Sequence, residues 1–125
     1  MSFASASEAL ATLEYLVHLG DRRLADDVVS IVAEIDDALV ERLDRRKLRK
    51  GWDRSPPGIE TQRLGDAWLA SMASVALRVP SVIVAHEENV LINARHRNAV
   101  RIKIIAVDDW KMDPRFGTSN KRGRD

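Results

Sequence analysis

The chain has 125 residues, 45% hydrophobic, 31% charged and 5% aromatic, with 20 Lys and Arg against 19 Asp and Glu. That is enough for one domain with a core and too short to expect two, and the mixture argues against wholesale disorder, a collagen-like repeat or a coiled-coil rod. The absence of cysteine rules out disulfide frameworks, thiolate zinc sites and a cysteine nucleophile. No apolar run approaches the roughly 18 residues that cross a bilayer, and no basic-then-apolar leader opens the chain, which predicts a cytoplasmic protein with no membrane partner.

The first predicted element is a helix over 7–19. Ser5 and Glu8 have the spacing of a capping box, Ser7 is a competing cap, Leu10, Leu13 and Val17 form an apolar stripe, and Gly20 is a stop signal. Val28 to Ile35 is β-branched and almost continuously apolar, which predicts a strand buried on both faces. The stretch from Leu43 to Gly58 is charged and ends in Pro56, Pro57 and Gly58, the pattern of a long loop. Basic residues concentrate from Arg42 to Arg54 and again from Lys121 to Asp125. The first run reads as a solvated loop or a face for an acidic partner, the second as a frayed tail. No aromatic platform beyond Trp52 is interleaved with them, so direct nucleic-acid binding is not expected.

Leu64, Trp68 and Met72 recur every four residues and predict a second helix over 60–73 despite Gly65. Val75 to Val84 is strand-like but carries Pro80, which predicts a bend there and an exposed position for Ser81. A polar connection from Ala85 to Asn98 follows. Val100, Ile102 and Ile104 then alternate with Arg101 and Lys103, as in a strand with one wet face. Two helices and at least three strands without strict βαβ alternation give an α+β domain.

Glu14 is the most informative single residue. At 100° per residue it lies within about 40° of Leu10 and 60° of Val17, which places a carboxylate on or beside the apolar stripe. Burying such a charge is costly unless it is paired, so the position fits a functional acid, or a boundary glutamate that reaches solvent or an arginine. His18, one turn on, could tune a base or bind a metal, but the helix supplies only these two ligands, and no metal site is expected. Ser81 reads either as a functional hydroxyl at the bend or as a polar strand end. No G-x-S-x-G elbow surrounds it and no acid-histidine pair with His86 or His96 can be assigned. No Gly-rich phosphate cradle supports a P-loop or Rossmann reading.

Five segments in order resemble one family. Phe3 to Ser7 with Ala9 to Glu14 and Leu16 to Leu19 is similar to the "Y-x-A-x-S … A-L-A-x-L-E-x-L-V-H-L" of RES-domain proteins. Thr61 to Ser71 resembles that family's "T-x-x-L-G-D-x-W-L-x-S", Leu77 to Ser81 its "L-x-V-P-S", Asn89 with Leu91 to Asn93 its "N-x-L-L-N", and Asp113 to Arg115 its "D-P-R". The likeness runs from Phe3 to about Phe116, and implies a RES-like domain over 1–117 and a basic flexible tail over 118–125.

Characterised members of that family are toxins of toxin-antitoxin pairs that degrade NAD, with a mixed α/β core similar to ADP-ribosyltransferases. The resemblance therefore implies NAD as substrate, phosphate or water as acceptor, no resident cofactor and a cognate antitoxin as partner. Carried over by position, Glu14 and Ser81 take the catalytic glutamate and serine places, with Phe3, Ser7 and Asn93 as substrate-binding positions. Phe3 stands where the family has tyrosine, and Ala94 and Arg97 depart from the family's "N-P-x-H-P". The family's arginine falls upstream of Met1, so the resemblance implies a domain without its N-terminal segment. The alternative it leaves is a non-catalytic remnant that serves as an antitoxin-binding module.

Overall fold

A computed structural model describes residues 1–20, 22–23, 27–53, 59–111, 113 and 115. The elements run β1 (Ser2–Ser5), α1 (Glu8–Leu19), β2 (Val29–Glu34), β3 (Val40–Arg42), α2 (Ile59–Ser71), β4 (Ala76–Pro80), β5 (Glu88–Ile92) and β6 (Lys103–Asp109). Short 3₁₀ turns occupy Asp37–Leu39, Arg45–Lys47 and Arg97–Arg101. This is the α+β mixture expected. One sheet has the order β1-β5-β4-β3, with β3 parallel to β4 and the other pairs antiparallel; β2 and β6 form a separate antiparallel ribbon.

Helix α1 starts where Ser7 accepts the Leu10 N–H at 3.1 Å, so Ser7 rather than Ser5 is the cap. It stops at Gly20, whose φ of +59° suits a residue without Cβ and whose N–H reaches the Leu16 carbonyl. Only Leu10 and Glu14 are buried along it. Its flank meets the chain just after β6, where Trp110 donates from Nε1 to Thr12 Oγ1 at 3.3 Å and stands edge-on to Tyr15, ring centres 5.5 Å apart.

Helix α2 packs its Trp68 against Leu77 of β4 and Leu91 of β5, joined by Leu43, Leu69 and Val79. Burial of each of these large side chains is worth about 1.5–3 kcal/mol. The Trp68 indole N–H is satisfied by Ser74 Oγ at 2.8 Å. Gly65 lies on the same buried face, where an added Cβ would stand 3.6 Å from Leu91 Cδ1. The helix ends at Ser71, and Met72 takes a left-handed φ of 56°.

Pro80 closes β4 and stops its ladder to β3 while leaving the β5 side intact. Ser81 donates its N–H to the Glu87 carbonyl toward β5, while the Arg78 carbonyl accepts from Leu43 on the β3 side. By alternation position 80 also faces the β3 side, where the next bond would need an N–H for the Leu43 carbonyl; proline has none, and the β3–β4 ladder ends there.

Several expectations are corrected. β2 forms, but it is not buried on both faces: Val29, Ile31 and Val32 are exposed, and among the described residues its one strand neighbour is β6. Val100 is 88% exposed in a 3₁₀ turn, and the last strand starts only at Lys103. The polar connection over 85–98 contains β5, a central strand. The described basic residues from Arg42 to Lys50 are exposed as expected, but not loose: Arg42 in β3 grips the Glu88 carboxylate with two bonds of 3.0 Å and Arg45 reaches the Ala85 carbonyl. Arg46 pairs with Asp44 and its hydrogen bonds hold that carboxyl below the usual carboxylate range. Arg54 and the tail over 118–125 lie outside the described residues, as does Phe116.

Candidate active site

Glu14 sits on the face of α1 turned toward the sheet and is 6% exposed. Two donors converge on its Oε2: Asn89 Nδ2 from β5 at 2.5 Å, and Ser81 Oγ from the end of β4 at 3.2 Å. Both donors come from positions the backbone holds firmly. Ser81 is 1% exposed, and its Oγ also accepts the N–H groups of Ile83 and Val84 at 3.0 Å each. Asn89 is 3% exposed and its Oδ1 accepts the Ser5 hydroxyl at 2.7 Å. The register sets Ser5, Asn89 and Val79 opposite one another across β1, β5 and β4, so they share a face of the sheet.

The other oxygen of Glu14 is differently placed. Oε1 takes no hydrogen bond among the described residues; its near neighbour is His18 Nδ1 at 4.0 Å. No buried side-chain oxygen goes unpaired among these residues, so Oε1 reaches the surface. His18 Nδ1 lies 2.7 Å from the Glu14 carbonyl and, since a carbonyl only accepts, carries the hydrogen in that bond. The outcome is a carboxylate anchored from behind by two neutral donors, with one oxygen left to act on a ligand. Such a group can stabilise a developing positive charge or accept hydrogen bonds from hydroxyls.

Of the positions proposed from the sequence, the structure joins Glu14 and Ser81 directly. It corrects the exposed setting expected for Ser81, whose hydroxyl is buried and turned onto Glu14. Phe3 lies opposite Leu91 on the same sheet face as Ser5 and is 54% exposed. Ser7 caps α1 and donates to the Glu87 carboxylate at 3.0 Å, tying the start of α1 to the loop between β4 and β5. Asn93 is not part of this cluster: its amide donates toward the Leu69 carbonyl and Met72 Sδ and accepts from Arg95 N–H. A cleft of about 600 Å³ beside it, walled by residues that include Glu41, Ser74, Arg95 and His96, contains neither Glu14 nor Ser81. His86 is exposed and His96 Nδ1 accepts the Asn98 N–H, so neither histidine serves Ser81. Among the described residues no group of three His, Asp or Glu could hold a metal.

Two members of the cluster, Asn89 and Ser5, were not assigned to the site from sequence. The available signal was the alternation of Asn89, Leu91 and Asn93, which puts Asn89 on the side of β5 that carries core residues.

The RES-domain family model matches residues 1–115. The chain belongs to the RES-domain family. It is similar to the Prs ADP-ribosylating toxin of Sphingobium sp. (strain YBL2), 39% identical over 117 residues, which are 91% of this chain and 73% of that protein. The Toxin Res of Photorhabdus laumondii is 35% identical over 120 residues, 95% of this chain and 77% of its own. The Toxin Res of Yersinia enterocolitica is 33% identical over 96 residues, 77% of this chain and 63% of its own. The protein is thus a RES-domain relative of named toxins, and among its described residues no helix is long and apolar enough to cross a membrane.

Proposed function

We propose that this chain is a toxin-type RES enzyme that cleaves NAD at the nicotinamide glycosidic bond, through Glu14. The observation that carries this reading is the carboxylate held by Oε2 and open at Oε1. As the bond from C1 of the ribose to the nicotinamide nitrogen breaks, its electron pair goes to the nitrogen and quenches the pyridinium charge. Positive charge develops on the ribose, and an ionised Glu14 opposite it lowers the barrier electrostatically while its open oxygen accepts ribose hydroxyls. Water attacking C1 gives ADP-ribose and a proton; phosphate gives ADP-ribose 1″-phosphate. Ser81 serves this step by donating to Glu14, and Phe3, Ser7 and Asn93 are the substrate-binding positions of this reading.

The further expectations belong to the same reading: an ADP-ribosyltransferase-like core over 1–117, a cytoplasmic setting and a cognate antitoxin that restrains the activity. A second acceptor is favoured by the name of the Sphingobium relative, an ADP-ribosylating toxin 39% identical to this chain. There a protein side chain takes the place of water or phosphate, and the bond broken is the same. The test is product analysis by mass spectrometry after incubation with NAD, in buffer, in phosphate, and with a bacterial lysate as protein acceptor. Free nicotinamide in any of the three supports the reading, and the accompanying product names the acceptor. An unchanged NAD pool in all three would leave the antitoxin-binding module, a non-catalytic role, as the better account.

A further inference from the structure

The Asn89 amide is used at both ends inside the domain. Its Nδ2 donates to Glu14 Oε2 at 2.5 Å, and its Oδ1 accepts from Ser5 Oγ at 2.7 Å. An amide can be turned end for end in the same space, but here the reversal would set a carbonyl oxygen against a carboxylate oxygen. The carboxylate, which only accepts, chooses the orientation that puts the N–H toward Glu14, and the Ser5 hydroxyl on β1 then holds the other end of the amide. Ser81 alone could not hold the carboxylate so closely: a single 3.2 Å bond leaves rotation about the last side-chain torsion, whose preference is broad. A second donor arriving from a different strand removes that freedom.

We propose that Asn89, held at its other end by Ser5, is a positioning residue that clamps Glu14 by Oε2 and so selects Oε1 as the oxygen presented to the substrate. The chemistry it serves rests on the reading of Glu14 given above, while the clamp itself is a property of the fold. Asn89 does not touch substrate in this scheme. Its effect is on the fraction of time the carboxylate spends in the working orientation, so it acts on turnover more than on binding.

Asn89→Asp keeps the shape of the side chain and replaces the donor with a second carboxylate facing Glu14. The expected result is a fall in kcat for NAD cleavage of about tenfold or more at neutral pH, with KM changed by less than about threefold. Ser5→Ala, a milder change on an edge strand, should give an intermediate loss of kcat. Wild-type kcat in Asn89→Asp, or a loss confined to KM, would overturn the proposal. A readout independent of activity is NMR of the Asn89 side-chain amide, whose protons should exchange slowly and whose resonances should move in both Glu14→Gln and Ser5→Ala. If those resonances stay put in both variants, the clamp is refuted even where NAD is consumed. If they move while the wild-type chain leaves NAD untouched, the clamp stands and the NAD reading fails.

Discussion

Replacing Ser81 by alanine removes three hydrogen bonds at a site that is 1% exposed. One is the donor to Glu14 Oε2; the other two are acceptors for Ile83 and Val84 N–H. A hydrogen bond to a charged group is worth about 1.5–3 kcal/mol, and each buried donor left unpaired costs about 1–3 kcal/mol. Ile83 and Val84 are only half-buried, so water can reach their freed N–H groups and the lower end applies to both. Asn89 remains on Oε2, so the carboxylate is weakened in its support and not orphaned. The expected loss is about 2–4 kcal/mol, since such terms do not add fully. For a chain of this size that is a fall in Tm of roughly 8–15 °C by calorimetry or circular dichroism. Ser81→Thr, which retains the hydroxyl, should lose less. A Ser81→Ala protein within about 0.5 kcal/mol of wild type would refute the reasoning, because it would mean that the hydroxyl supports neither the loop nor Glu14.

Other outcomes follow from the same geometry. Gly65→Ala should stabilise the domain by about 0.5–1 kcal/mol, because helix propensity improves and the new Cβ meets Leu91 Cδ1 at an ordinary 3.6 Å; a lower Tm would show that α2 lies closer to the sheet. Leu91→Ala should cost about 2–5 kcal/mol by opening a cavity beside Trp68 and Leu77, measured by urea unfolding. The Arg42–Glu88 pair, bidentate with the arginine side chain 63% exposed, should show a coupling of about 0.5–1 kcal/mol in a double-mutant cycle and fade in high salt. Asp44 titrates below the ordinary carboxylate range because of Arg46, so its contribution is present above that range and is lost as pH falls through the lowered value. Arg46→Ala should move the Asp44 titration upward, as followed by NMR.

The helices were legible because their signals are local. Ser7, the Leu10 and Glu14 spacing and Gly20 mark α1 within a few residues, and Trp68 marks the buried side of α2. Glu14 stood out for the same reason, as a charge at a position where periodicity demands burial. The strands were harder because their partners are distant in sequence. Nothing near Val29 or Ile31 says that β2 will pair with β6 in a two-stranded ribbon and keep exposed apolar residues. β1, β3 and β5 are short and carry polar residues, so they read as connections until β4 pairs with β3 and β5, and β5 with β1. Asn89 could be read only as part of a polar stretch able to line a cleft, because its partners, Ser5 and Glu14, lie 84 and 75 positions away. Pro80 misled in a different manner: it ends β4 as expected, but the chain turns inward and Ser81 is buried against α1.

In the proposed reaction the open oxygen of Glu14 acts on the ribose of NAD. This role is tested most directly by the rate of nicotinamide release from saturating NAD, compared between the wild-type chain and Glu14→Gln. Glutamine keeps the size and an oxygen for Ser81 and Asn89 to donate to, and removes the charge. The expected result is turnover by the wild-type chain and a loss of about a hundredfold or more in the variant, with its Tm little changed. Equal release by the two proteins would contradict it.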